Sequence, residues 1–140
     1  MSSLGQKTVI SLMLGVPDTP AAVDWYGKAL GARILWSLGS VAGLGIDGAR
    51  FFLHEPVKNG FDSPKAIAVT TARVELFVDD PDAVIARAVE AGAEIRDHAV
   101  PWRTHRQGGF TDPFGHIWLV ANVSRCVPKQ PRNLLSENAI

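Results

Sequence analysis

The strongest constraint on this chain is that it repeats itself. Setting Val16 over Val78 places Pro17-Asp18 over Asp79-Asp80, and with a one-residue slip Gly31-Ala32-Arg33-Ile34 falls over Gly92-Ala93-Glu94-Ile95. Punctuation recurring at the same separation to within one residue implies a single supersecondary unit built twice. The punctuation is that of a helix. Thr19-Pro20 supplies an N-cap and a first-turn proline, Ala22, Trp25, Tyr26, Ala29 and Leu30 follow at helical spacing, and Gly31 stops the segment. In the second copy Asp80-Pro81 opens, Ile85, Ala88 and Val89 form the stripe, and Gly92 closes.

Each helix follows a strand, at residues 9–16 and 73–78, and precedes three more. In the first half these are 33–38, 41–46 and 50–54, turned at Gly39-Ser40 and Asp47-Gly48. In the second they are 94–100, 108–111 and 116–122, the last two joined by Asp112-Pro113-Phe114-Gly115. The expectation is an α+β fold of two strand-helix-strand-strand-strand modules within one domain over 1–140. Module one runs about 8–56 and module two 72–123. Between them lies a linker, 57–71, marked by Asn59-Gly60 and Ser63-Pro64 and with room for a short ordered piece. A mostly polar tail, 124–140, with Pro128 and Pro131, is expected to be mobile or draped on the surface.

Composition excludes several classes of partner. At 46% hydrophobic and 20% charged, the 140 residues can bury one core. Fourteen basic side chains balance 14 acidic ones, so no net field draws in nucleic acid or an anionic membrane. The run 9–16, broken by Ser11 and Gly15, falls far short of the ~20 residues that span a bilayer, and no small-x-small cleavage pattern follows it. The single Cys126 makes neither an internal disulfide nor a thiolate metal site, so a cytoplasmic setting is expected.

The modules, the entry Val16-Pro17-Asp18-Thr19-Pro20-Ala21-Ala22-Val23-Asp24-Trp25-Tyr26, the exit Leu30-Gly31-Ala32 and the stretch Gly109-Phe110-Thr111-Asp112-Pro113-Phe114-Gly115-His116-Ile117-Trp118 together carry a resemblance. Over about residues 8–123 the chain resembles the vicinal oxygen chelate (VOC) superfamily of glyoxalases, bleomycin-resistance proteins and extradiol dioxygenases. It is most similar to the PhnB-like branch, where Arg106, Gly108 and Phe110 also fall in register; Trp102 sits one residue off the usual tryptophan. The resemblance implies βαβββ modules with mixed sheets curled about a cavity, completed across a homodimer, sometimes by strand exchange. Family metal ligands stand on the first and fourth strands of each module, and those positions map onto Ser11, Phe52, Arg73 and Leu119. This set lacks the oxygen and nitrogen donors of a divalent-metal shell, so neither a metal nor any other cofactor is expected.

Strand alternation then assigns the cavity face. Ile10, Leu12 and Leu14 go to the core, leaving Ser11 and Met13 facing the cavity; Arg50, Phe52 and His54 turn inward on the fourth strand. Val74, Leu76 and Val78 pack on a helix while Arg73, Glu75 and Phe77 face the cavity, joined by Ile117, Leu119 and Ala121. An apolar cup with a few polar groups is the usual make-up of a small-molecule site. Arg73 and Glu75 either hold a ligand carboxylate and act as general base, or form an ion pair that fills the ancestral metal pocket. His54 is a second proton-transfer candidate or a rim histidine beside Glu55. Trp36 and Trp102 are candidates to stack on a planar ligand, whereas Trp25 and Trp118 read as core. His116 is expected to order the turn after Gly115, and His98 and His105 to sit in a polar, loop-like stretch near the mouth. The expected function is a metal-independent small-molecule-binding protein of the glyoxalase/bleomycin-resistance type, sequestering a drug or metabolite. With Arg50 and Arg73 in the cup, cationic bleomycin itself is not the favoured ligand. The alternative is an isomerase, lyase or cyclase using Glu75 and His54, or a displaced metal site of His54, Glu75 and His105.

Overall fold

A computed structural model describes residue 5 and residues 7–58, 60–102 and 105–122. The tail 124–140, with Cys126, and Asn59 of the linker turn lie outside the described residues. Two aspartates start the long helices in the same way. Asp18 accepts from Ala21 N at 3.0 Å ahead of α1 (Thr19–Leu30), and Asp80 accepts from Ala83 N at 3.1 Å ahead of α3 (Pro81–Glu90). The first cap is therefore Asp18 and not Thr19. Thr19 is buried and spans outward instead, its Oγ1 donating to Ser40 O at 2.7 Å and its N to Glu55 Oε2 at 2.9 Å. Gly31 ends α1 in the left-handed region at φ 68°.

The strands form two four-stranded mixed sheets of identical order. The first runs β1 (Met13–Gly15), β4 (Ala49–His54), β3 (Val41–Ile46), β2 (Arg33–Ser37); the second runs β5 (Arg73–Phe77), β8 (Ile117–Ala121), β7 (His105–Thr111), β6 (Glu94–Trp102). Within each sheet the first strand is parallel to the last, and the remaining pairs are antiparallel. The linker's ordered piece is α2 (Pro64–Ile67), capped by the buried Ser63.

Two strand expectations are corrected. The first strand is only Met13–Gly15, and Ile10, 95% exposed, is not core: no described side chain covers that end of the sheet. Leu12 is likewise exposed, although its carbonyl still accepts from Phe52 N at 2.9 Å. His98 and His105 lie in strands, not in a loop, because β6 and β7 extend until Trp102 pairs with His105. The almost wholly exposed edge strand β6 has no apolar face to announce it.

Both sheets turn their helix-side faces into one interior. Phe51 of β4 meets Trp118 of β8 edge to face at 5.8 Å, and Tyr26 of α1 packs on both. Trp25 adds Phe110 and Phe114, and its Nε1 donates to Ala91 O at 2.8 Å. The knot of this interior is Asp112, whose carboxylate accepts from Tyr26 OH, from Trp118 Nε1 at 2.9 Å, and from the N–H groups of Phe114 and His116 at 3.0 and 2.9 Å. His116 orders the turn through its own N–H and ties the modules together as well, its Nε2 donating to Gly15 O at 2.7 Å. Since Phe51 and Trp118 point at each other, alternation turns Phe52 and Leu119 outward. The two open faces are thus turned apart, and one chain does not enclose a cavity between them.

Candidate functional site

On module one the open face is built by a β-bulge. Register shifts between Ile34 and Trp36, so Leu35 is the extra residue and Trp36 pairs with Gly43. A Cβ at Gly43 would stand 2.7 Å from Trp36 Nε1; glycine is what lets the indole lie down on the sheet. There the ring stacks on Phe52 at 5.9 Å and 29°, while the Leu35 methyls lie over Gly45. Met13 is in register with Phe52. His54 closes the end of the face, its Nδ1 donating to Glu55 O at 2.6 Å and its ring meeting Phe61 edge-on. Arg50, exposed, stands at the other end.

Module two repeats the device with different side chains. Of its two register shifts the first lies between Ile95 and Asp97, so Arg96 is the extra residue and Asp97 pairs with Gly109; the second, between Asp97 and Val100, has no counterpart on β2. Arg73 binds Glu75 through Nε and Nη2 at 3.2 and 3.0 Å, both to Oε2. A groove of ≈170 Å³ runs along this face between Arg73, Arg96, Asp97, Gly109, Ile117 and Leu119. A second groove, of ≈230 Å³, lies at the seam of the modules under the linker, where Met13, Phe61, Ile67 and Arg73 line it.

The residues expected to act together are thereby sorted. Trp36, Phe52, Met13 and His54 share one open face; Arg73, Glu75, Phe77 and Leu119 share the other. Ser11 is exposed ahead of β1, and the half-exposed Trp102 sits at the far end of β6, away from Trp36. Glu75 and His54 stand on different sheets, and among the described residues no three His, Cys, Asp or Glu side chains come together, so His54, Glu75 and His105 do not form a triad. Trp25 and Trp118 are core, as their helical and strand positions imply.

Register also tests the four family metal positions. Met13 pairs with Phe52 as Glu75 pairs with Leu119, so Ser11 is equivalent to Arg73 and Phe52 to Leu119. A hydroxyl, a guanidinium already engaged by Glu75, and two hydrocarbon side chains do not fit a divalent cation. Leu35, Arg96 and Asp97 were missed because alternation was read on the first and fourth strands of each module and not on β2 or β6, where in addition a bulge resets the period after Leu35 and Arg96. The signal was present as glycines inside strands, Gly43 and Gly45 on β3 and Gly108-Gly109 on β7.

Comparison with known proteins agrees with this architecture. Residues 8–120 match the model of the Glyoxalase/Bleomycin resistance protein/Dioxygenase superfamily. An uncharacterized protein of Mycobacterium bovis is 32% identical over 140 residues, covering 88% of each chain. Among solved structures, an Arabidopsis thaliana gene product is 28% identical with a TM-score of 0.66, covering 84% of this chain and 100% of that one. The fosfomycin resistance protein FosX from Mesorhizobium loti superposes with a TM-score of 0.64 over 87% of this chain and 97% of its own; at 14% identity it speaks for the fold alone.

Proposed function

We propose, from the premise that the chain belongs to the glyoxalase/bleomycin resistance protein/dioxygenase superfamily, that it is a metal-independent binding protein which sequesters a small molecule, a drug or a metabolite, on the open faces of its sheets. The observation that carries this reading is the seat of Trp36. A large aromatic ring is laid flat on Phe52 over a glycine and left 40% exposed, on the sheet face that the core does not use. Such a surface presents a stacking floor to a planar group. Within the superfamily the reading keeps the chain in the PhnB-like branch on the register of Arg106, Gly108 and Phe110 alone, all three of them on β7.

A sheet face covers only one side of a ligand, whereas small-molecule sites bury most of one. The reading therefore includes a homodimer in which module one of one copy faces module two of the other. Glu75 engaged by Arg73 and distant from His54 favours binding over acid–base turnover. The test is elemental analysis of the purified protein combined with thermal-shift screening before and after chelation. We expect no stoichiometric zinc, nickel, iron or manganese, with melting temperature and ligand-induced shifts unchanged by chelator. About one such metal per chain, or shifts that vanish on chelation, would overturn the reading.

A further inference from the structure

We propose that the bound molecule is an aromatic acid and that Arg96 is the anchor of its anionic group. The inference rests on the preceding reading, in which the two open faces share one ligand. Of the two arginines that line the module-two groove, Arg73 is bound to Glu75, whereas the Arg96 guanidinium has no hydrogen-bond or ion-pair partner among the described residues. A guanidinium is a planar fork of donors that matches an oxyanion in bidentate fashion. Arg96 follows Ile95, the partner of buried Phe110, and so stands on the open face, and the bulge there brings Asp97 to the same face opposite Gly109. Asp97 also lines the groove, and with Arg73 neutralised by Glu75 the Arg96 guanidinium stands against that single carboxylate, so an anionic and a cationic probe compete directly for this wall. The equivalent inserted residue of module one is Leu35, next to the Trp36–Phe52 stack. One face thus offers an aromatic floor and the other a fork of donors, which together describe a flat ring bearing a carboxylate or comparable oxyanion.

The probes are 2-naphthoate, the neutral 2-naphthamide and the cationic 2-naphthylmethylamine, titrated calorimetrically into the intact protein. We expect naphthoate to bind tightest, and Arg96→Gln to weaken it about tenfold or more, the usual consequence of losing a charge-assisted contact, while leaving naphthamide unchanged. Trp36→Ala should weaken all three. Arg96 is exposed, so its substitution leaves the core intact. Equal affinity for acid and amide, preference for the amine, or naphthoate binding indifferent to Arg96→Gln would each overturn the anion assignment while leaving the binding reading in place. If no naphthyl compound binds while unrelated compounds stabilise the protein independently of metal, the aromatic-acid class is overturned and sequestration still stands. Metal-dependent stabilisation would instead remove the reading beneath both.

Discussion

Matched by register, the two modules agree on one face and diverge on the other. The helix-side pairs Leu44 and Phe110, Phe51 and Trp118, and Leu53 and Val120 are all apolar and buried. On the open side Met13 matches Glu75, Leu35 matches Arg96, Trp36 matches Asp97 and Phe52 matches Leu119. The first face is fixed because both modules bury it in a common interior, where a changed volume or a stranded polar group is costly. The open faces share no such restraint within one chain. A duplicated scaffold can therefore hold an aromatic floor and an ionic wall at equivalent places, and even the backbone device beneath them, a bulge opposite a glycine, has been kept.

The hairpin turns sharpen the contrast and give the largest expected effect. Module one joins β3 to β4 with Asp47-Gly48 at φ 49° and 84°, a tight two-residue turn whose aspartate is exposed. At the same place module two has Asp112, buried and accepting from four donors, two of them side chains of different modules. Asp112→Ala strands those donors in the interior and should destabilise by on the order of 4 kcal/mol. Asp47→Gly, which suits the left-handed backbone, should stay within about 0.5 kcal/mol of the parent. Urea denaturation midpoints measure both, and comparable losses would break the distinction between a turn that only reverses the chain and one that docks the modules.

The glycines beneath the bulges come next. A Cβ at Gly109 would stand 2.7 Å from the backbone oxygen of Trp118, which cannot yield without shifting β8, so Gly109→Ala should cost about 3 kcal/mol, within the usual range for overpacking. At Gly43 the obstacle is the half-exposed Trp36 ring, which is free to swing outward, so Gly43→Ala should cost under about 1 kcal/mol. Its mark should be weakened ligand binding instead. A stability loss at Gly43 equal to that at Gly109 would mean that Trp36 is held as core and is not a free floor.

Much of this comparison was legible in the chain, and what was not has physical causes. The repeat, both helix stripes and the core placing of Leu14 and Trp118 follow from period and punctuation, because burial on one side writes itself into the sequence as alternation. The same rule put Arg73 and Glu75 side by side on the open face, where they pair. It failed where burial is absent or the backbone inserts a residue. Ile10 reads as core only if something covers it, β6 has no buried face to give it a period, and Trp36 and Asp97 reach the open side through bulges. Nor does alternation say which faces of two sheets meet. That was decided by Phe51 packing on Trp118, a contact between residues far apart in sequence.

A smaller effect than at Asp112 or Gly109 concerns Tyr26, where a helix of module one reaches the turn of module two. Burial first, then the charge of Asp112 and the hydrogen bond to it, push the Tyr26 hydroxyl well above its ordinary value, against a smaller opposing contribution from Trp118. The folded state therefore holds this proton more tightly than the unfolded chain does. The associated stability is fully present below the unfolded tyrosine value of about 10 and is lost as pH rises beyond it, because there the unfolded chain gives up the proton while the folded one keeps it. Tyr26→Phe removes both the bond and the titration. At neutral pH it should cost about 1.5 kcal/mol, less than Asp112→Ala because Asp112 retains Trp118 Nε1 and two backbone donors. Above pH 10 the gap between parent and variant should narrow by up to about 1.4 kcal/mol per pH unit, since Tyr26 is the chain's only tyrosine. Urea titrations at pH 7, 9 and 10.5 would show it. A gap constant across that range would mean that the hydroxyl is not held protonated between the modules, and that Asp112 does not join them through Tyr26.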